Sequence, residues 1–370
     1  MRRSVSFAAA ASAVAAIGAL SFASSAFAAS SGPPPPKTHN GATVSLYASG
    51  LDNPTSFAWG EGAMFAGDSG NSETTPNGGV YVIRNHVATK IPSNVVFVGG
   101  MQFHKGVLYI SAADAGQSGP QFQILAWSGW NGTTFTKQRA IYTAPQGFQG
   151  FNGLAFGPDG RLYVGVDVGL MNGNDHGPAG TSPYLYDILS MTPSGKRVEV
   201  FAKGIRQPWQ MAFAPGSSSP FVSDLGQDSG AKNPPDFILR VRRGQNYGFP
   251  KCNHTNGSPC VAYAKPFMML PPHWNPMGIA VMGHRLYVGS FLGPDGSGGA
   301  LYSMPLAGGK LTPIVTGFPL ATDALAAHGG ALYVGGQNQT GQGFVYKVTA
   351  GHAKAKAVAK AKRAAPSFTG

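Results

Sequence analysis

Aspartates recur at one position of a repeated pattern in this sequence. Asp68, Asp114, Asp167 and Asp224 each follow a short apolar segment, and Asp323 precedes another. The recurrence stands out because the chain has only 15 acidic residues. Grouped carboxylates bind cations or move protons, whereas single aspartates commonly form tight turns. The sequence is compatible with a cation-binding or proton-transfer site and equally with a set of turns.

The apolar segments belong to a repeat that occurs six times. Each copy has a short apolar strand, a turn with glycine, a strand of the type Leu-Tyr-Val and a third strand. Its aromatic position is occupied by Phe65, Tyr109, Tyr163, Phe221, Tyr287 and Tyr333. Short strands repeated in this way, with a fourth outer strand visible in two copies, are typical of propeller blades. The sequence therefore predicts an all-β, six-bladed β-propeller with four antiparallel strands per blade.

The two ends of the repeats predict how the ring closes. The first strand-like segment, Val44 to Tyr47, resembles an outer strand, and the last blade ends at its third strand near Val348. We therefore expect the N-terminal strand to complete the last blade, which would leave no open sheet edge.

The direction of the strands predicts which polar residues lie on the same face of the propeller. Because blade strands alternate in direction, the loop before a first strand and the loop after a second strand lie on the same face. Arg206, His273 and Asp323 lie in loops of the first kind, and the other four aspartates lie in loops of the second kind. Together they predict a ligand site around the mouth of the central channel.

The termini indicate an exported protein. Residues 1–28 combine a basic start, an apolar middle and Ala26-Phe27-Ala28, which is the pattern of a secretory signal. We expect a Pro-rich linker at 29–43, the propeller at 44–350 and a basic Ala/Lys-rich tail at 351–370. No other segment is long and apolar enough to cross a membrane. The predicted location is the periplasm or the exterior.

The net charge of +12 comes largely from the two ends. Because the part between them is only mildly basic, the sequence does not favour nucleic-acid binding. The tail could make weak contact with an anionic surface. In an exported protein, Cys252 and Cys260 in a short polar loop predict a disulfide. A metal pair is the weaker alternative, since His254 would leave a fourth ligand missing.

Several motifs resemble those of the pyrroloquinoline-quinone (PQQ) sugar dehydrogenases, the glucose/sorbosone dehydrogenase family. In chain order they are Gly204-Ile205-Arg206-Gln207-Pro208, Ser223-Asp224-Leu225-Gly226-Gln227-Asp228, Pro234-Pro235-Asp236, Asn246-Tyr247-Gly248-Phe249-Pro250 and Pro272-His273-Trp274-Asn275-Pro276-Met277-Gly278. The resemblance covers nearly the whole propeller and is strongest from Phe151 to Ala280.

The resemblance implies a cofactor and a reaction. PQQ would lie over the channel, with Arg206 stacked on it and with Gln207 and Asp323 as further contacts. Calcium would bind the carbonyl oxygens of Gly226 and Gln227. The implied activity is oxidation of a sugar or other alcohol, with hydride passing to the quinone and electrons to an acceptor.

The sequence departs from the family at the catalytic base. Gln149 stands at the position of the family's histidine, and an amide cannot accept a proton near neutral pH. His273, Asp224 and His176 are alternative bases on the predicted face. The family's cationic groups near the fifth and sixth blades also have no counterpart here.

Two other functions stay open. One is a propeller that binds a saccharide, a metal or a partner protein without turnover. The other is a metal-dependent lactonase, because Asn152 and Asp323 resemble ligands of gluconolactonase-like propellers. The acidic residue that those enzymes need at the first blade is replaced by Thr55-Ser56.

Overall fold

The computed structural model describes residues 35–71, 77–116, 119–145, 148, 150–167, 184–227, 233–254, 260–291, 298–319, 322–338 and 340–351. The predicted signal and residues 352–370 of the predicted tail lie outside these ranges. Part of the predicted linker is described, and it contains a short strand in which Lys37 pairs with Thr316 and Thr38 with Val315. Within the described ranges, no helix is long and apolar enough to cross a bilayer.

All regular elements in the described residues are strands. The first half comprises β1 (Lys37–Thr38), β2 (Thr43–Leu51), β3 (Pro54–Gly60), β4 (Ala63–Asp68), β5 (Gly79–Arg84), β6 (Val87–Lys90), β7 (Val95–His104), β8 (Val107–Gly116), β9 (Gly119–Trp130), β10 (Phe135–Thr143), β11 (Phe151–Phe156) and β12 (Leu162–Val166). The second half comprises β13 (Ile188–Met191), β14 (Glu199–Ala202), β15 (Pro208–Ala212), β16 (Phe221–Asp224), β17 (Asp236–Arg240), β18 (Met268–Leu270), β19 (Pro276–Met282), β20 (Arg285–Ser290), β21 (Gly299–Pro305), β22 (Thr312–Phe318), β23 (Ala324–His328), β24 (Ala331–Gln337) and β25 (Gly343–Thr349).

Apart from β1, which adds to β22, the described strands form antiparallel units of four. Units 1 to 5 are β3–β6, β7–β10, β11–β14, β15–β18 and β19–β22, and unit 6 is β23–β25 with β2. The N-terminal β2 pairs with β25 from Thr43↔Thr349 to Leu51↔Gly343, as the sequence predicted. A single parallel bridge, Ser49↔Val87, also joins β2 to β6 of unit 1. The all-β prediction with four-stranded antiparallel sheets is confirmed.

The core lies between neighbouring units, and the aromatic position of the repeat explains why. Tyr109 of unit 2 packs edge-on against Phe156 of unit 3 with ring centroids 4.8 Å apart. Tyr163 of unit 3 packs in the same way against Phe213 of unit 4 at 5.1 Å. Each buried aromatic removes a large apolar area from water and fixes the angle to the next sheet. The repeat thus encodes the contact between units.

The first strands of the units surround a central channel. Contacts run from β3 to β7, β11, β15, β19 and β23 in turn, and from β23 back to β3. Gly100 makes a close approach possible, because a Cβ there would lie 2.7 Å from the Cα of Gly153. Near their starts, β3, β7, β11, β15 and β19 each contain a register shift. Such bulges redirect side chains out of the regular ladder.

Candidate functional site

Arg206 is buried in the loop before β15, with 3% of its surface exposed. Its Nη1 donates hydrogen bonds to the carbonyl oxygens of Gly226 at 2.7 Å and Leu225 at 3.2 Å. It also donates to Oε1 of the neighbouring Gln207 at 3.1 Å. The guanidinium therefore binds the loop to which the resemblance assigns calcium.

Asp224 is the last residue of β16, beside this loop, and its carboxylate accepts a hydrogen bond from the backbone. Its Oδ1 accepts a hydrogen bond from the N–H of Gln207 at 2.8 Å. Burial raises the pKa of Asp224 to about 7, against the lowering effects of the Gln207 hydrogen bond and the Arg206 charge. The carboxylate is enclosed and holds the loop before β15, so it is not presented to a substrate in this structure.

Asp236 joins two further loops. Its Oδ1 accepts a hydrogen bond from the N–H of Gly226 at 2.6 Å, and its Oδ2 accepts one from the N–H of Asn275 at 2.7 Å. The last residue of the Pro-Pro-Asp motif thus fixes the Gly226 loop against the loop before β19. Sequence reasoning noted the motif but did not assign this role to its carboxylate.

The carboxylate of Asp68, in unit 1, likewise binds backbone N–H groups. Its carboxylate accepts hydrogen bonds from the N–H groups of Asp52 at 2.9 Å, Asn53 at 3.1 Å and Gly70 at 2.6 Å. Burial raises the pKa of Asp68 above its ordinary value, and the three backbone hydrogen bonds oppose that change. For Asp68 and Asp224 the structure therefore supports the turn interpretation of the recurrent aspartates.

Two side chains from the β15 bulge cross the channel. Trp209 of unit 4 donates its Nε1–H to the carbonyl of Asp323 in unit 6 at 3.0 Å. Gln210 donates through Nε2 to the carbonyl of Thr55 in unit 1 at 2.8 Å, and its Oε1 accepts from the N–H of Ile279 at 3.1 Å. Unit 1 lies opposite unit 4 in the ring of contacts, so Gln210 spans the channel. Sequence reasoning missed both roles, because the register shift between Pro208 and Met211 is visible only in the structure.

Asp323 and Asn152 carry buried polar atoms that have no protein partner. Each residue is 1% exposed, and neither Asp323 oxygen nor either Asn152 amide atom has a hydrogen-bond partner among the described residues. Burial alone raises the pKa of Asp323 to about 7. Both residues lie near the starts of inner strands, on units 6 and 3.

The remaining candidate bases are less well defined. His176, and Gln149 at the position of the family's histidine, lie outside the described residues. His273 is exposed, has a left-handed backbone with φ 59°, and contacts the side-chain amide of Asn233 through Nε2. Among the described candidates, His273 is therefore the base that solvent can reach.

Calcium does not fit on the side of the Gly226 carbonyl that Arg206 occupies. Calcium binds oxygen at 2.3–2.6 Å, which would bring it to the position that the guanidinium already occupies beside the Gly226 carbonyl. The side chain of Gln227 is also buried, and its Nε2 has no partner among the described residues.

The predicted disulfide is confirmed. Cys252 and Cys260 are joined, with their Cα atoms 5.3 Å apart. His254 lies close to both sulfur atoms and contacts the carbonyl of Tyr247 through Nε2 at 3.1 Å. Because the thiols are joined to each other, the loop acts here as a covalent link beneath the Arg206 cluster, and the alternative of a metal pair does not hold.

The opposite end of the channel contains an open cavity of about 380 Å³. Its walls are the later halves of the first strands, and Gln210 lines its inner end. Near its wall stand Trp59, Phe103, Phe156, Phe213, Val281 and Ala327. The rings of Phe103, Phe156 and Phe213 pack on aromatic rings of neighbouring units rather than facing the cavity. Polar side chains come from Gln102, Gln210 and His328, and none of the described residues that line the cavity is an aspartate, glutamate, lysine or arginine. This end suits an uncharged polar ligand.

Comparisons with known proteins identify the fold. No protein-family model matches the chain. No curated protein sequence matches it either. A solved structure from Thermus thermophilus, described as an oxidoreductase (glucose dehydrogenase), matches with a TM-score of 0.66 and 21% identity, covering 83% of this chain and 100% of that one. This chain has the glucose dehydrogenase fold.

Two further structures agree with that identification. One described as glucose dehydrogenase matches with a TM-score of 0.63 and 16% identity, covering 84% of this chain and 100% of that one. A Trichoderma reesei protein of carbohydrate-active enzyme family AA12 matches with a TM-score of 0.64 and 16% identity, covering 87% and 99%. The predicted resemblance to sugar dehydrogenases is therefore confirmed at the level of the fold.

Proposed function

We propose that this protein is an exported, six-bladed β-propeller that binds an uncharged saccharide in its central channel without PQQ-dependent turnover. The six four-stranded units are its blades, and β2 closes the last one. The folded domain covers 44–350, between an export signal at 1–28, a linker and a basic tail. Its location is the periplasm or the exterior of the cell.

The observation that carries the proposal is the contrast between a filled cofactor loop and an open cavity. The Arg206 guanidinium holds the Gly226 and Leu225 carbonyls, and the carboxylate of Asp224 holds the backbone. The cavity at the other end of the channel has the volume of a small-ligand site, and the described side chains around it are uncharged, with the polar groups of Gln102, Gln210 and His328 among them.

The second candidate is the quinoprotein oxidoreductase of a sugar or alcohol. The match along the full length of two glucose dehydrogenases favours it. In that case Arg206 would have to leave the Gly226 carbonyl to contact PQQ, and His273 would be the exposed base. A shared fold carries many functions, so the likeness supports this candidate without deciding it.

One experiment separates the candidates. The purified protein is titrated by calorimetry with a panel of neutral mono- and disaccharides, and separately with PQQ and calcium while quinone absorbance and dye reduction are followed. We expect saccharide binding that needs neither PQQ nor calcium. Dye reduction that requires PQQ, calcium and a sugar would overturn the proposal in favour of the oxidoreductase. Acid release from a lactone, abolished by a chelator, would favour the lactonase.

A variant locates the ligand. Ala327→Phe places a large side chain at the wall of the cavity and should abolish saccharide binding. Ala140→Phe, on an exposed outer strand, is the matched control and should leave binding unchanged. Equal binding by the wild type and Ala327→Phe would place the ligand elsewhere.

A further inference from the structure

We infer that Arg206 is a built-in cation that takes the place of a divalent metal ion in the Leu225–Gln227 loop, and that its removal opens a weak site for a hard divalent cation. This inference is independent of the proposed saccharide binding, because it concerns the other end of the channel. It predicts that calcium does not stabilise the wild-type loop.

The oxygen atoms around Arg206 converge on one point. Gly226 O, Gln207 Oε1 and Leu225 O all lie within 2.7–3.2 Å of Nη1. Backbone carbonyl and amide oxygens are the neutral ligands that calcium accepts in proteins, at 2.3–2.6 Å. Small movements would bring the three oxygens to that distance from an ion at the position of Nη1.

Nearby carboxylates also favour a cation at this point. Asp224 and Asp236 are both buried and both bond to the backbone here, Asp224 accepting from the N–H of Gln207 and Asp236 from the N–H of Gly226. Two buried carboxylates near one another are costly without positive charge between them. The guanidinium supplies that charge from within the chain, as a bound metal ion would from outside.

A guanidinium and a metal ion cannot both use the Gly226 carbonyl from this side. Nη1 stands 2.7 Å from that oxygen, so the two cations would overlap and repel each other. The wild-type loop should therefore be indifferent to calcium, because its oxygen ligands are already bound to positive charge.

The loop should keep its shape when the guanidinium is removed, because other bonds fix it. The N–H of Leu225 donates to the Gln207 carbonyl at 3.3 Å, and the N–H of Gly226 donates to Asp236. The N–H of Gln207 donates to Asp224. Three neutral ligands completed by water give a weak site, with a dissociation constant on the order of 0.1–1 mM.

Thermal unfolding with and without calcium tests the inference. The wild type and Arg206→Met are each melted in EDTA and in about 10 mM calcium chloride. We expect no shift for the wild type and a rise in Tm of about 3–8 °C for Arg206→Met. Arg206→Lys keeps a positive charge near the carbonyls and should behave as the wild type. Calorimetry of Arg206→Met should give one site per chain.

Arg161→Met is the matched control. Arg161 also donates to two carbonyl oxygens, those of Arg197 at 2.7 Å and Ser190 at 3.1 Å, in unit 3 and away from the Leu225–Gln227 loop. Its loss should create no calcium response. A calcium-dependent wild type, or a folded Arg206→Met that ignores calcium, would overturn the inference. So would an Arg206→Met that stays unfolded even with calcium present, since the ion would then fail to replace the guanidinium.

Discussion

The two ends of the central channel use their polar groups differently. At the end that holds Arg206, buried charges meet backbone groups: Asp224 and Asp236 accept N–H donors, and Arg206 donates to carbonyls. At the other end, the described side chains around the cavity are uncharged and include Gln102 and Gln210. Gln210 separates the two ends by bonding across the channel.

The difference shows that polar residues clustered in a fold need not form a reactive site. Buried polar groups are costly unless they are bonded, so Arg206, Asp224 and Asp236, which are bonded to the backbone, stabilise the loops. The oxygens of Asp323 have no partner among the described residues and differ from them in this respect. The other end has an open cavity of about 380 Å³, which is room for a small ligand. The following predictions test this contrast, beginning with the largest expected effect.

Asp68→Ala should destabilise the protein by roughly 3–5 kcal/mol, because it leaves the N–H groups of Asp52, Asn53 and Gly70 without their acceptor. Urea unfolding measures the loss. Glu61→Gln, on an exposed turn, is the control and should change stability little. A cost for Asp68→Ala below about 1 kcal/mol would contradict the structural role of the recurrent aspartates.

Asp323→Asn should raise the free energy of unfolding at a pH above 7 more than at an acidic pH. The folded pKa of about 7 lies above the ordinary value of 3.8, so the folded state binds this proton more tightly than the unfolded state does. The stability from that proton is fully present below pH 3.8 and is lost as the pH rises through 7. Asp323→Asn should therefore be more stable than the wild type at about pH 8 by roughly 2–4 kcal/mol.

Urea unfolding at about pH 4 and about pH 8 measures this difference. Asp187 and Asp224 also have pKa values raised to about 7, mainly by burial, so the variant should keep part of the wild-type pH dependence. If the two proteins differ equally at both pH values, the pKa of Asp323 in the folded protein is not raised above its ordinary value.

Gln210→Ala should cost about 2 kcal/mol, because the Thr55 carbonyl and the Ile279 N–H lose their partner across the channel. Gln210→Met fills similar volume without hydrogen bonds and separates packing from polar loss. If Gln210→Met has full wild-type stability in urea unfolding, Gln210 acts through its volume alone and its hydrogen bonds across the channel add nothing to stability.

His328→Ala should change stability by less than about 0.5 kcal/mol, because His328 is exposed at the cavity rim. Its ring stacks on Trp59 with centroids 4.6 Å apart and planes at 3°. Its removal should alter the Trp59 contribution to fluorescence. A large loss of stability would show that the rim is structural, like the polar end.

Much of the fold was predictable because its signals are local. The alternation of short apolar strands and glycine turns gives the four-stranded units, and the aromatic position marks the contact between them. The pairing of Val44 with Val348 followed from an unpaired strand at each end of the repeat. The disulfide followed from two cysteines close together in a polar loop of a chain that the sequence predicts to be exported.

The candidate site was predictable only in part. The motifs placed Arg206, Gln207, Asp224 and Gly226 in one cluster, and the structure brings them together. That the guanidinium binds the Gly226 carbonyl was not predictable, because sequence motifs carry residue types and spacing but not side-chain directions.

The sequence by itself determined the strands, their grouping and the residues that gather near the channel, because hydrophobic period and turn chemistry act over a few residues. Only the tertiary structure decided which polar groups are satisfied. Gln210 meets Thr55 across 155 residues of chain, and Trp209 meets Asp323 across 114. Such contacts depend on the closed arrangement of all the sheets, and the free energy of a buried polar atom depends on whether its partner arrives.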